Sequence, residues 1–141
     1  MQIDEARYFH KGIELFNAGD WFDAHEAWEE IWHMAEGQRK RFYQGLIQCA
    51  VTLEHARRGN PRGVRSIWET CRQKFIDIDG VYMGIDVGAL LGGIADTIGP
   101  ILDLPESNFD PARPRGQELP ANWPSVPIIR LTVDPFADGT P

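Results

Sequence analysis

Residues 9–32 read FHKGIELFNAGDWFDAHEAWEEIW, and this stretch decides the fold. Phe9, Ile13 and Phe16 recur at intervals of four and three, the spacing that places side chains on one face of an α-helix. A helix is predicted from about Asp4 to Ala18. Gly19 is a natural stop, because glycine enters the left-handed conformation at no steric cost. Asp20 then caps a second helix, and Asp23 puts a carboxylate in its first turn, where the helix dipole favours it. Trp21, His25, Trp28 and Trp32 follow at intervals of four, three and four and share one face. Three tryptophans on that face turn it inward, so His25 is expected to be buried or partly so. The second helix is predicted to continue to about Ala35, with Gly37 as its breaker. Two helices joined by so short a turn lie antiparallel.

Working outward, a third helix is expected from about Gln38 to Arg58, with Phe42, Leu46, Cys49, Leu53 and Ala56 on its apolar face. Gly59-Asn60-Pro61 is a stop and restart: glycine ends one helix, asparagine caps the next, and proline fits its first turn. The fourth helix carries Val64, Ile67, Trp68, Cys71 and Phe75 on one side, making a second antiparallel hairpin. Asp77 to Ile85 reads as a linker containing Gly80 and Gly84. It is not a calcium loop, since its glycine comes too early and the later acidic ligand is missing. A fifth helix is expected from near Asp86 to about Leu104, weakened by glycines 88, 92, 93 and 99. From Pro105 to Pro141 stand eight of the ten prolines, a density that excludes helix. Trp123, Ile128, Ile129, Leu131, Val133 and Phe136 give this segment apolar contacts to make, and Ile128 to Val133 is a candidate edge strand. The expectation is an all-α bundle of about five antiparallel helices over residues 1–104. An extended, proline-rich arm over 105–141 would lie on the bundle or on a second subunit of a homodimer.

The chain has 141 residues, 43% hydrophobic and 25% charged, the length and make-up of one globular domain. Two cysteines are too few for a disulfide framework, and both fall on apolar helix faces, which favours reduced thiols. The first residues lack the basic and apolar regions of a signal peptide. No apolar run nears the ~20 residues of a membrane span, so a cytoplasmic protein without a membrane partner is expected. The net charge of −7 argues against bulk nucleic-acid binding. That charge is unevenly spread: net −7 over residues 1–36, +7 over 37–75 and −7 over 76–141. An acidic helix pair docking on a basic one would account for it.

Two polar features interrupt the apolar faces. On the second helix, Glu29 follows His25 by one turn, with Glu26 and His33 on the flank. On the third, Gln44, Gln48 and His55 form a stripe. A buried polar group without a partner costs about 1–3 kcal/mol, so the two sets are expected to meet across the helix 2–helix 3 interface. Such a cluster either fixes helix register or binds a small ligand or metal. His25, Glu29 and His55 are nitrogen and oxygen donors of the kind zinc, iron or manganese accepts. His25-Glu26-x-x-Glu29 lacks the second histidine of the zinc-protease motif. Glu30-x-x-His33 matches the di-iron helical pattern once where two copies are needed. His10 pairs with Glu14 one turn on. Arg57, Arg58, Arg62 and Arg65 around the Gly59-Asn60-Pro61 turn could hold a phosphate. Neither cysteine has an activating base nearby in sequence.

Gly12-Ile13-x-x-Phe16-Asn17-x-Gly19-Asp20-x-Phe22-x-x-His25-Glu26-x-x-Glu29-x-x-Trp32 resembles the opening of a bacterial and archaeal family, domain of unknown function number three hundred and nine. Arg41-x-x-Gln44-Gly45-Leu46-Ile47-Gln48 and His55-x-x-Arg58-Gly59-Asn60 continue the resemblance, which covers about residues 8 to 75. It implies a small helical bundle with His25, Glu26, Glu29, Trp32, Gln44, Gln48, His55 and Asn60 as pattern positions. Members are sometimes labelled metal-dependent hydrolases. On that reading His25, Glu29 and His55 would hold a divalent transition metal, and Glu26 would be the general base for a metal-bound water. The residues themselves favour a binding or scaffold module with a conformation-fixing polar cluster between helices 2 and 3. The metal-dependent hydrolase and an anion or nucleic-acid site at Arg57–Arg65 are the alternatives.

Overall fold

The computed structural model describes residues 4–103 and 127–137. Each helix begins where the sequence supplies a cap or a break. Asp4 accepts from Arg7 N at 3.0 Å and opens α1 (Glu5–Asn17). Gly19, at φ 81°, turns the chain into α2 (Trp21–Trp32). That helix ends three residues short of Ala35, because Met34 to Glu36 are needed to reverse direction before Gly37, at φ 62°, opens α3 (Gly37–Arg57). Asn60 accepts from Gly63 N at 3.0 Å and opens α4 (Pro61–Gln73), with Pro61 in the first turn. Asp86 accepts from Ala89 N at 3.0 Å and caps α5 (Val87–Leu102). The molecule is thus all-α in its architecture, with five helices among the described residues. Leu104, the expected end of the fifth, lies outside them, as do Trp123 and the rest of residues 104–126.

The order of packing follows the chain: α1 on α2, α2 on α3, α3 on α4, and α5 across α3 and α4. Trp28 is the pin of the first hairpin. It is fully buried, tilts against Phe16 at 5.9 Å and donates its indole N–H to Phe9 O at 3.2 Å. This approach needs a glycine at position 12, where a Cβ would stand 2.0 Å from Trp28 Nε1. In the second hairpin Gly45 does the same for Phe75, whose ring lies 2.5 Å from where a Cβ would be. Phe42, Leu46 and Leu53 fill the centre of α3 at 0% exposure.

The segment read as a linker contains a small hairpin. Strands β1 (Val81–Tyr82) and β2 (Ile85–Asp86) pair antiparallel, Tyr82 opposite Ile85. Met83 and Gly84 both have positive φ, 49° and 79°, the pair of conformations a two-residue hairpin turn requires. Strands of two residues are too short to show alternation, so periodicity could not reveal them.

The described part of the arm lies on its own bundle. Ile129 is buried, and Asn17 of α1 grips its backbone from both sides, donating to Ile129 O at 2.9 Å and accepting from Ile129 N at 2.7 Å. Thr132 N donates to Gly84 O at 2.8 Å. Phe136 packs on Phe9, and Asp134 lies 3.0 Å from His10. Ile128 to Val133 is not an edge strand: among the described residues its backbone hydrogen bonds go to the Asn17 side chain and the Gly84 carbonyl. His10 meets Asp134 rather than Glu14. No helix among the described residues is long and apolar enough to cross a membrane.

Candidate functional site

The helix 2–helix 3 seam is aromatic on its α2 side. Cations from α3 lie over tryptophans of α2: Lys40 Nζ is 4.8 Å from the Trp32 ring centre and the Arg57 guanidinium 4.1 Å from that of Trp21. These contacts, more than ion pairs, join the acidic and basic thirds of the sequence. Among the described residues the ion pair that crosses between residues 1–36 and 37–75 is Glu5 with Arg39, at 3.4 Å.

His25 is half-buried on α2. Its Nδ1 lies 2.5 Å from Phe22 O, and its Nε2 3.6 Å from Glu29 Oε1. The Phe22 ring meets it edge-on at 4.9 Å. The Glu29 side chain is 47% exposed and Glu26 is exposed on the outer side of the helix. On α3, Gln44 and Gln48 are half-buried. Among the described residues, buried Gln48 Oε1 has no hydrogen-bond partner, and the same holds for Trp32 Nε1 on α2 and for Arg41 Nε and Glu54 Oε2 on α3.

His55 is committed elsewhere. Asn60 holds it twice, through Asn60 N to His55 O at 3.0 Å and between Asn60 Nδ2 and His55 Nδ1 at 3.2 Å. The amide nitrogen is the donor, so Nδ1 accepts and the proton of the neutral ring sits on Nε2. Burial, with the Arg58 charge second, pushes the His55 pKa below its ordinary value. The imidazole therefore finishes the α3–α4 turn.

These placements correct two expectations. Among the described residues, no hydrogen bond joins His25 or Glu29 to Gln44, Gln48 or His55, because each histidine is satisfied within its own helix or turn. Nor are the proposed metal ligands His25, Glu29 and His55 gathered: no three His, Cys, Asp or Glu side chains come together in a metal-holding group among the described residues. As placed, His25, Glu29 and His55 do not make a three-ligand metal site. Two of the four arginines around the Gly59-Asn60-Pro61 turn are engaged with backbone carbonyls. Arg57 donates to Gly19 O and Arg65 to Leu102 O, tying the helix ends together.

One polar cluster escaped the sequence reading. The Tyr43 hydroxyl donates to Glu5, which also meets Arg39. Burial and this carboxylate hold the Tyr43 hydroxyl far above the usual phenol range. A cavity of about 390 Å³, lined by Glu5, Met34, Ala35, Glu36 and Arg39, opens beside it. The partners stand 38 residues apart, so no local spacing signalled them.

A helical protein with two hairpins joined through a tryptophan-rich seam is the class these features define. Over residues 9–67 the chain matches the family model described as a domain of unknown function (DUF309). It is similar to an uncharacterized protein of Aquifex aeolicus, 26% identical over 67% of this chain and 29% of that one. It is also similar to the uncharacterized protein YpuF of Bacillus subtilis, 39% identical over 39% of this chain and 32% of that one. The chain spans about a third of the length of these curated relatives.

Proposed function

We propose that the protein is a non-catalytic binding module whose recognition site is the α2–α3 seam, where a ligand admitted as the seam loosens completes hydrogen bonds that the closed fold leaves unmade. One observation supports the reading. Trp32 Nε1, Arg41 Nε, Gln48 Oε1 and Glu54 Oε2 are buried without hydrogen-bond partners among the described residues, and all four belong to α2 or α3. Each such group costs about 1–3 kcal/mol. A stripe whose purpose was to fix helix register would bond within itself. One kept at a cost to stability has the character of a binding site.

The test is replacement of Gln48 by leucine. An open carbonyl exchanged for an apolar side chain of similar length should raise stability by about 1 kcal/mol in urea unfolding. A loss of stability of that size would return Gln48 to a structural role and end the proposal. A thermal-shift screen of small amides and carboxylic acids supplies the second readout. Compounds that raise the melting temperature of the wild type should lose that effect in Gln48→Leu, because the variant keeps the fold and lacks the acceptor.

A further inference from the structure

Cys49 of α3 and Cys71 of α4 are free, fully buried thiols whose sulfurs stand 3.5 Å apart. They sit in the tight α3–α4 crossing, where Gly45 admits the Phe75 ring. The Cys71 thiol donates to Gly45 O at 3.6 Å. A thiol has one proton, so Cys49 is the donor between the two sulfurs. The sequence contains two cysteines, and the fold brings both to one point from positions 22 residues apart.

We propose that Cys49 and Cys71 are an oxidation site that a peroxide closes into an intramolecular disulfide, stapling α4 to α3. The chemistry balances. One sulfur, as thiolate, attacks the peroxide: an S–O bond forms, the O–O bond breaks, and the departing oxygen leaves as water. The second sulfur attacks the resulting sulfenic acid: the S–S bond forms, the S–O bond breaks, and a second water leaves. The two cysteines together lose two electrons and two protons, and the peroxide gains both.

Burial decides when this happens. Neither sulfur meets solvent. Desolvation, with the neighbouring Cys71 thiol second, pushes the Cys49 thiol well above its ordinary range, against the reactive thiolate. Peroxide therefore reaches the pair when α4 lifts. That helix buries Pro61, Val64 and Cys71 and leaves most of its other residues partly or fully exposed. A single helix lifting from its neighbours is a sub-global opening, which occurs more often than the whole molecule unfolds. The pair is then a recorder of α4 opening, and the disulfide, once formed, prevents the next opening.

The experiment uses the full chain, reduced and then exposed to hydrogen peroxide, with intact mass, a non-reducing gel and thermal melting as readouts. The expected product is a monomer lighter by two hydrogens, restored by dithiothreitol, with a melting temperature raised by about 10 °C. Mild urea below the unfolding transition should speed its formation. Cys49→Ala and Cys71→Ala should each gain oxygen on the remaining sulfur and show no rise. If neither variant folds, the wild-type mass, melt and urea dependence carry the test alone. Added oxygen without loss of two hydrogens, disulfide-linked dimers as the main product, a cross-linked form that melts lower, or a rate indifferent to urea would each overturn the proposal.

Discussion

At position 12 a single hydrogen stands where any other residue would put carbon into the Trp28 indole. Two effects compete in Gly12→Ala. Alanine gains about 1 kcal/mol in helix propensity. Overpacking against a fully buried ring costs about 3 kcal/mol and also pulls Trp28 from Phe9 O. The clash wins, and urea unfolding should show a net loss of about 2 kcal/mol; an unchanged midpoint would mean that the ring gives way freely. His55 offers a pH readout. Its folded pKa lies below the ordinary value of 6.5, so the unfolded chain binds a proton that the folded one refuses. Stability from this residue is complete above that value and drains away as pH falls below it. His55→Gln should flatten the acid side of the stability profile, and an unaltered slope would place the titration elsewhere. The inward turn of His25 was legible from the three tryptophans beside it. That it would be satisfied by Phe22 and Glu29 of its own helix was not, because spacing shows which face a residue occupies and not which atoms it reaches.

Among elements, helices were the readable part. Gly19, Gly37 and Gly59 all take positive φ, and Asp4, Asn60 and Asp86 all cap with their side chains. These are local rules, and a sequence states local rules openly. Asn60 carries most at this scale, since it starts α4 and holds His55 at the end of α3. Asn60→Ala should lower stability by about 1–2 kcal/mol, the usual range for a lost N-cap. It should also move the His55 ring, visible as a shift of its imidazole resonances in NMR. A loss below about 0.3 kcal/mol would show that Pro61 alone suffices to start the helix. The β1–β2 hairpin was illegible for a matching reason. Methionine is a poor advertisement for a positive-φ turn position, and its conformation is imposed by the strands and by Gly84 beside it.

On the scale of the whole molecule, charge was the misleading signal. The alternation of net −7, +7 and −7 suggested acidic helices docking on basic ones. The seam is instead apolar and aromatic, with two cations laid on indoles. Exposed pairs are worth ~0–1 kcal/mol each, too little to direct packing against buried tryptophans. The arm was readable as apolar but not as to its seat. Its described part rests on Asn17 of α1, on the Arg39 side chain of α3, which lies over the Phe136 ring, and on the Gly84 carbonyl of the hairpin. Asn17→Ala should free it: limited proteolysis would then cut near residues 127–137 while the bundle stays intact. Equal resistance in variant and wild type would show that Ile129 and Phe136 hold it without the amide.

That amide has a consequence for the order of events in folding. Asn17 and Ile129 are 112 residues apart, whereas α1 to α4 each pack on the next in line. Near-neighbour contacts close quickly, and a contact across most of the chain waits for everything between. The bundle should therefore assemble in an early kinetic phase and the clasp in a later one. On a ribosome, α1 would hold its side of the clasp open until Ile129 had emerged.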